Sequence, residues 1–275
     1  MKDNIVAAVQ MNSGEDKDSN IKMAQRLIRI AWEKGAKMVV LPELFNWRGE
    51  PEKEKKYSET IPGKTTKAMA RIAASLNIYL VAGSITETIA GNKKTYNSSV
   101  LFGPEGDILA VYRKLHLFDA SQLVGGFNVM ESETKKKGQE IVTASTMMGK
   151  IGLTICYDLR FPELYRRLTK KGINIAVAPS AFTFNSGKAH WETLVRARAI
   201  ENQIYLIASN QYGKNPLGYE DFGNSLIIDP WGKILAGIEK GDGVITAKIN
   251  LRYQELLRKS FPVLQHIRED IAGTE

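Results

Sequence analysis

Cys156 is the single cysteine of the 275-residue chain, and its place in the sequence suggests chemistry. It follows an apolar run at residues 151–155 that predicts a buried strand, and it precedes a helix predicted to begin at Pro162. A side chain at such a turn lies at the edge of a sheet, near helix N–H groups that favour an anion. We therefore expect the pKa of this thiol to be lowered toward the reactive thiolate. A buried structural cysteine is the alternative that position alone leaves open.

Two histidines are the first candidates for a base beside this thiol. Cysteine nucleophiles commonly work with histidine, and His116 and His190 each lie near the end of a predicted element. A packed or solvent-facing histidine is the simpler explanation of each position. The sequence therefore does not single out a Cys–His pair.

A carboxylate and an amine occupy the ends of two other predicted strands. Glu43 follows a predicted strand at residues 37–41, and Lys114 ends a predicted strand at residues 108–114. Because strand ends in an open α/β sheet line a common crevice, we expect Glu43, Lys114 and Cys156 to converge there. A surface carboxylate and a solvated amine are the alternatives for the first two.

The elements that must position these side chains alternate along the chain. Apolar runs predict strands at residues 5–11, 37–41, 78–82, 95–102, 108–114, 151–155, 173–178, 204–209, 225–228, 234–236 and 244–249. Helical spacing predicts a helix capped by Asp18 or Ser19 and stopped by Gly35, and further helices at residues 64–76, 162–171 and 188–202. Residues 117–139 show neither period and are predicted to form a long loop. The pattern favours one α/β domain over residues 1–275, in which two sheets stack with helices outside.

Charge and hydropathy narrow the classes of partner. Lys and Arg total 38 against 30 Asp and Glu, which gives a net charge of +8 at pH 7. This positive excess suggests nucleic acid as a partner, but positive and negative residues are interleaved along the chain, as is typical of a solvated surface. No apolar stretch approaches the roughly 18 residues of a membrane span. We therefore expect a cytoplasmic protein with no nucleic-acid and no membrane partner.

The metal-binding residue types are too sparse for an obvious site. One cysteine excludes an intrachain disulfide and a multi-cysteine zinc site. The three histidines, His116, His190 and His266, lie far apart and form no short-spaced ligand pair. We expect neither a metal nor another cofactor.

Three segments together resemble the nitrilase superfamily of carbon–nitrogen hydrolases. They are residues 41–45 (LPELF), 112–119 (YRKLHLFD) and 156–164 (CYDLRFPEL), in the order of the family and with its approximate spacing. The resemblance covers essentially the whole chain. Further segments, at residues 130–132, 179–182, 190–192, 229–232 and 261–263, look most like the branch of the omega-amidases and deaminated glutathione amidases.

The resemblance implies a fold and a set of catalytic roles. The fold is a four-layer α-β-β-α sandwich of two stacked mixed sheets, and the family usually assembles as homodimers or larger. Cys156 matches the nucleophile, Glu43 the general base and Lys114 the lysine that stabilises the oxyanion. Glu131 matches a second glutamate that positions substrate and holds the lysine, although a solvated loop carboxylate is the alternative. These roles describe hydrolysis of an amide through a cysteine thioester, with release of ammonia.

The substrate is less closely specified. Arg160 is near enough to the nucleophile to pair with a substrate carboxylate, or else with Asp158 or Glu163 as a structural ion pair. Three aromatic side chains, Phe45, Tyr157 and Phe182, are candidates to line an apolar wall, and a place in the core is the alternative for each. The branch resemblance points to a small carboxylate-bearing amide such as alpha-ketoglutaramate or deaminated glutathione.

The sequence leaves two other functions open as alternatives to an amidase. An N-carbamoyl-amine or nitrile hydrolase would use the same scaffold and thiol, because the electrophile is again a carbon bonded to nitrogen. A basic nucleic-acid-binding module without catalysis is the more remote alternative, and steep salt dependence of binding would reveal it.

Overall fold

The computed structural model describes residues 4–120, 129–268 and 270, and the first half of the chain supplies most of one sheet. Its elements are β1 (Asn4–Gln10), α1 (Lys17–Glu33), β2 (Met38–Val40), α2 (Pro51–Tyr57), α3 (Lys64–Leu76), β3 (Tyr79–Val81), β4 (Ile85–Thr88), β5 (Thr95–Phe102), β6 (Ile108–Arg113), β7 (Asp119–Ala120), β8 (Val129–Met130) and α4 (Glu131–Thr134).

The second half builds the other sheet and returns one strand to the first. Its elements are β9 (Thr143–Thr146), β10 (Gly149–Leu153), a 3₁₀ turn (Cys156–Arg160), α5 (Pro162–Lys170), β11 (Ile175–Val177), α6 (Phe184–Asn202), β12 (Tyr205–Ala208), β13 (Tyr212–Lys214), β14 (Glu220–Phe222), β15 (Ser225–Ile228), β16 (Ile234–Ile238), β17 (Gly243–Ile249), α7 (Leu251–Ser260) and a second 3₁₀ turn (Val263–His266).

Both large sheets are mixed, with a parallel centre and antiparallel edges. The first runs β17-β1-β2-β3-β5-β4, with β6 also paired to β5, and its parallel pairs are β1 with β2 and β2 with β3. The second runs β16-β15-β12-β11-β10-β9, and its parallel pairs are β10 with β11 and β11 with β12. Because β6 is antiparallel to β5 and β5 is antiparallel to β3, β6 runs in the same direction as β2. The strand ends that precede Glu43 and Lys114 therefore point the same way.

The alternation of side chains along β1 shows how the layers are stacked. Val6 and Ala8 pack in a core cluster with the second sheet, whereas Ala7 and Val9 pack in a separate cluster with α1 and α3. Successive strand residues point to opposite faces, so one strand of buried residues serves two interfaces. α5 and α6 contribute apolar residues to the cluster of the second sheet. The order helix, sheet, sheet, helix is the predicted four-layer sandwich.

The start of α1 differs from the prediction. Its cap is Asp16, whose carboxylate accepts a hydrogen bond of 3.0 Å from the Ser19 backbone N–H, while Asp18 lies within the first turn. The prediction of Asp18 or Ser19 as the cap was wrong, because Ser19 supplies the N–H that the cap must satisfy. Gly35, at φ +85°, follows the end of the helix as expected.

Helix α6 begins one turn earlier than the predicted residue 188. Its first turn contains Gly187, a residue type that is unfavourable within a helix. A Cβ at this position would lie 2.3 Å from the Cβ of Phe222 on β14. The glycine is therefore explained by close packing of helix and hairpin, and the helix passes through it.

Several short elements were not predicted, namely α2, α7, β4, β9, β13 and β14. Their apolar signal is weak: the one buried residue of α2 is Glu54, and α7 buries Gln254 and Leu257. Within the predicted loop 117–139, residues 121–128 lie outside the described residues. The rest contains the paired β7 and β8 and the short α4, so the prediction of irregular structure there was too coarse. No helix in the described ranges is long and apolar enough to span a membrane.

Candidate active site

Cys156 opens the 3₁₀ turn that follows β10. Its backbone has φ +47°, a left-handed conformation that a non-glycine residue adopts at a cost of about 1–3 kcal/mol. Its N–H donates to the Pro179 carbonyl oxygen at 2.8 Å, which ties the turn to the end of β11. The side chain is 8% exposed and borders a small cavity. β10 ends at Leu153, so the thiol lies three residues beyond the strand. A strained backbone of this kind persists only when the surrounding contacts hold it in place.

Glu43 lies in the turn after β2, at the matching edge of the first sheet. Leu44 beside it has φ +50°, and the Gln211 side-chain amide donates to the Glu43 carbonyl oxygen at 2.8 Å. Gly83 passes so close to this turn that a Cβ there would lie 2.0 Å from the carbonyl oxygen of Pro42. Contacts from both sheets therefore hold the Glu43 backbone in place.

Lys114 joins the two predicted glutamates. Its Nζ donates to Glu43 Oε1 at 2.9 Å and to Glu131 Oε2 at 2.8 Å, and its side chain is 2% exposed. Burial disfavours the ammonium form, but the Glu131 and Glu43 carboxylates outweigh it and raise the pKa of Lys114 well above its ordinary value. The lysine is therefore a fixed cation at neutral pH.

Glu131 is held by the backbone as well as by the lysine. It begins α4, and its Oε2 accepts from the Phe118 N–H at 2.8 Å. Burial raises the pKa of Glu131, but the Lys114 and Lys135 cations and these hydrogen bonds lower it by more than burial raises it. The pKa of Glu131 therefore lies below the ordinary carboxyl value. Glu131, whose side chain is 9% exposed, is thus an ionised and largely enclosed part of the cluster rather than a solvated loop carboxylate.

The thiol has the opposite electrostatic environment from the one predicted. Burial raises the pKa of Cys156 well above its ordinary value, and the negative charge of the neighbouring Glu43 carboxylate raises it further. The Lys114 cation and the Ala181 N–H act in the other direction and do not compensate. The expectation of a lowered thiol pKa was wrong, because desolvation and a neighbouring anion outweigh any helix end. The resting group is a thiol that needs a base.

Asn97 is a member of the cluster that the sequence reasoning missed. It lies on β5, 1% exposed, and its side-chain amide donates to Glu43 Oε1 at 2.8 Å and to Glu131 Oε1 at 3.1 Å. Its backbone oxygen accepts from the Lys114 N–H at 2.9 Å. A polar amide within a strand that is otherwise buried was the available signal.

Asp158 links the nucleophile turn to the strand end that carries the lysine. Its Oδ2 accepts from the Tyr112 hydroxyl at 2.6 Å and from the Ile155 N–H at 2.8 Å. On the other oxygen it accepts from the His116 N–H at 3.2 Å, and His116 Nδ1 lies 2.7 Å away. Asp158 is fully buried, so these donors replace water completely.

The two histidines considered as bases are used elsewhere. The His116 ring stacks on Phe161 with centroids 3.7 Å apart, and His190 Nδ1 lies 3.3 Å from an Arg160 nitrogen. Within the described ranges, neither imidazole has a recorded contact with Cys156. Among the groups considered as a base, the Glu43 carboxylate is the one whose charge raises the pKa of the thiol.

The cavity beside the thiol is small and partly apolar. Its free space is about 20 Å³, room for about one water molecule, so a larger substrate requires a lining side chain to move. It is lined by Phe118, Cys156, Tyr157, Arg160, Ala181, Phe182, Thr183 and Ser186. Tyr157, Arg160 and Phe182 were predicted to line it, whereas the other residues apart from Cys156 were not.

Phe45 is not part of this wall. It is fully buried in the cluster between the first sheet and helices α1 and α3, on the opposite face from the second sheet. Its aromatic type suits both a pocket and a core, and the turn after β2 directs it into the core. The expectation that Phe45 binds substrate is not supported.

Arg160 lies over the cavity between two rings. Its guanidinium carbon is 5.6 Å from the Tyr157 ring centroid and 5.3 Å from that of Phe182. The alternative of an ion pair with Asp158 or Glu163 is not present, and in the described part of the chain no carboxylate pairs with this guanidinium. Apart from its contact with His190, an arginine that is held by rings without an anion keeps its donors available to a ligand.

The described residues offer no grouping of three or more His, Cys, Asp or Glu side chains suited to a metal ion. The arrangement supplies instead a buried ammonium, a carboxylate and a thiol at one edge of the two sheets. Such a set can perform nucleophilic attack with proton transfer and can stabilise a developing negative charge.

Comparisons with known proteins agree with this geometry. The carbon–nitrogen hydrolase family model matches residues 5–259. The chain is 38% identical over 270 residues to omega-amidase NIT2 of Xenopus tropicalis, covering 98% of this chain and 97% of that protein. It is 39% identical over 274 residues to deaminated glutathione amidase of Bos taurus, covering 98% and 83% respectively. The structure of Nit3 of Saccharomyces cerevisiae, a member of branch 10 of the nitrilase superfamily, matches with a TM-score of 0.87 at 34% identity, covering 98% of this chain and 96% of that one.

Proposed function

The chain belongs to the carbon–nitrogen hydrolase family and is an amidase of that family, and we propose that it hydrolyses a small carboxylate-bearing amide through a thioester on Cys156. The observation that carries the proposal is the buried ion pair of Lys114 with Glu43, whose carboxylate is near enough to the Cys156 thiol to raise its pKa. One cation, one carboxylate and one thiol meet beside a cavity, with Arg160 above it.

The raised pKa of the thiol defines the first step. Cys156 is protonated at rest, so its proton must leave as sulfur attacks the amide carbonyl carbon. The Glu43 carboxylate takes that proton, and the carbonyl electrons move onto the oxygen. The Lys114 ammonium and the Tyr157 backbone N–H stabilise this oxyanion. One such donor typically contributes about 10²–10³ in rate.

The second half of the reaction reuses the same base. Glu43, now protonated, gives its proton to the departing nitrogen as the carbon–nitrogen bond breaks, which releases ammonia and leaves a thioester. A water molecule then loses a proton to Glu43 and attacks the thioester carbon. The proton returns to the Cys156 sulfur as the carbon–sulfur bond breaks, and the acid product leaves. No redox change and no co-reactant other than water is required.

Arg160 supports a substrate with a carboxylate at its far end. A carboxylate accepts two parallel hydrogen bonds from a guanidinium, and none of the described acidic side chains occupies that position. The relatives act by name on an omega-amide and on deaminated glutathione. We infer that this chain takes a substrate of the same type, a linear amide with an anionic end.

We also propose a homodimer or larger assembly in the cytoplasm. Trp231 and Phe261 are more than half exposed and pack edge to face with centroids 5.8 Å apart, and Ile200, 47% exposed, lies against Gly232, the residue that follows Trp231. Exposed apolar groups of this kind favour association. The one cysteine is free, which suits a reducing compartment.

Ammonia release from a small panel tests the reaction and the substrate class. The panel contains alpha-ketoglutaramate, succinamate, deaminated glutathione, an N-carbamoyl amino acid and a simple nitrile, each with the wild type and with Cys156→Ala. We expect release from a carboxylate-bearing amide by the wild type and none by the variant, with circular dichroism showing both folded. Unchanged turnover by Cys156→Ala would refute the mechanism, and carbon dioxide released with the ammonia would indicate a carbamoyl substrate.

A further inference from the structure

Asn97 is the one neutral side chain among those described that contacts both buried glutamates. Its Nδ2 donates to Glu43 Oε1 at 2.8 Å and to Glu131 Oε1 at 3.1 Å. Reversing the amide would set its oxygen against two carboxylate oxygens, so these contacts fix which end of the amide is nitrogen. The amide oxygen is buried and has no hydrogen-bond partner among the residues that the structure describes. Such a group costs stability, so the contacts of the nitrogen must compensate for it.

The two oxygens of Glu43 are unequal as a consequence. Oε1 accepts from Lys114 Nζ and from Asn97 Nδ2, whereas no nitrogen donor reaches Oε2 within the described residues. When a carboxylate gains a proton, one oxygen becomes the hydroxyl and the other remains an acceptor. An oxygen that already receives two N–H bonds stays the acceptor, so the proton belongs on Oε2.

We propose that Asn97 is a positioning residue that selects Oε2 of Glu43 as the oxygen that carries the proton. This inference rests on the proposed role of Glu43 as the base. In the first step the proton passes from the Cys156 sulfur to Oε2 as the sulfur–carbon bond forms. In the second it passes from Oε2 to the nitrogen as the carbon–nitrogen bond breaks. Asn97 also donates to Glu131, so the two carboxylates flank Lys114 in one fixed arrangement.

Two variants of similar shape separate the donor from the volume of the side chain. Asn97→Leu removes the donor and also the unpartnered oxygen, and Asn97→Asp replaces the donor with a third carboxylate. Loss of a donor to an ionised carboxylate raises its pKa, and a like charge raises it more. We therefore expect the acidic limb of kcat/KM to move up by about half to one pH unit in Asn97→Leu and further in Asn97→Asp. We expect kcat to fall at least about tenfold, with KM changed less than about threefold.

Alkylation of Cys156 by iodoacetamide gives a second readout that needs no substrate. Its rate against pH reports formation of the Cys156 thiolate, whose pKa the Glu43 carboxylate helps to raise. We expect this profile to shift upward in both variants, because a Glu43 carboxylate with one donor fewer opposes the thiolate more strongly. A shifted alkylation profile in a protein that hydrolyses no amide would uphold Asn97 and refute the proposed function. Active wild type with unshifted profiles in both variants would refute the Asn97 proposal alone.

Ser99→Ala is the matched control. Ser99 lies two residues further along β5, fully buried, with an unpartnered hydroxyl. Residues two apart on a strand share a face, so this variant disturbs the same surface without touching the glutamates. We expect its pH profile and kcat to match the wild type. An equal loss in Ser99→Ala, or failure of both Asn97 variants to fold, would make Asn97 a structural residue and overturn the proposal.

Discussion

Lys114 Nζ donates to Glu43 Oε1 at 2.9 Å while both side chains are almost completely buried. The same nitrogen donates to Glu131, so a single ammonium is shared by two carboxylates in the interior. A buried cation is tolerated only when its donors and its charge are matched, and each partner therefore depends on the others. The catalytic proposal and the stability of this region consequently involve the same atoms.

Lys114→Met should affect both properties. It leaves Glu43 and Glu131 buried without their shared cation, and we expect a loss of about 3–5 kcal/mol in the free energy of unfolding. We also expect kcat to fall by about 10²–10³, because a donor to the oxyanion is lost. Urea unfolding and ammonia release measure the two effects. Lys64→Met, which removes an exposed lysine paired with Asp18, is the control and should change neither; an equally small effect of Lys114→Met would contradict this account.

Asp158→Asn tests how the nucleophile turn is held. At present Tyr112 and Ile155 donate to one Asp158 oxygen, and the His116 N–H donates to the other. In the variant an amide nitrogen replaces one of these oxygens, so it faces a hydrogen-bond donor in either orientation. We expect a loss of about 1–3 kcal/mol in the free energy of unfolding. Because the turn carries Cys156, kcat should fall more than KM rises.

The matched control for that variant is Glu163→Gln. Glu163 is exposed in the first turn of α5, close to the same segment. It should leave the urea midpoint and both kinetic constants near the wild-type values. If Asp158→Asn behaves in the same way, Asp158 does not hold the turn.

Arg160→Met tests the recognition of the substrate carboxylate. Loss of paired, charge-assisted hydrogen bonds should raise KM for succinamate about 10- to 100-fold. Turnover of propionamide, which has no carboxylate, should change little, so the preference between the two amides is the decisive measurement. Arg252→Met removes an exposed arginine on α7 and serves as the control. Equal losses for both amides in Arg160→Met would show that Arg160 shapes the cavity rather than binding the anion.

The thiol of Cys156 should remain protonated at neutral pH. Because its pKa is raised, the thiolate forms only as pH rises well past the ordinary thiol value of about 8.5. The difference in far-ultraviolet absorbance between the wild type and Cys156→Ser, followed from about pH 6 to pH 10, reports this single thiolate. Thiolate absorbance already present at about pH 7 would contradict the electrostatic account and favour a preformed ion pair.

The sequence alone determined the regular elements with strong periodicity. Helix α3 begins and ends at the predicted residues 64 and 76, because its apolar residues recur with helical spacing and Asn77 adopts the left-handed conformation after it. Strands β1, β2 and β5 lie within one residue of their predicted bounds. Elements that bury few apolar residues, such as α2 and α7, carry too weak a pattern to be recognised.

The sequence also determined that a thiol, a carboxylate and an amine follow strand ends, from which their convergence could be predicted. It did not determine the charge state of that thiol, the participation of Asn97 or the burial of Phe45. Those properties depend on contacts between residues distant in the chain, such as the bond between Asn97 and Glu43, 54 positions apart. A pKa depends on the solvent and charges around a group, and hydrogen bonds between strands depend on register. Both exist only after the two sheets have packed, and for that reason the tertiary structure decided them.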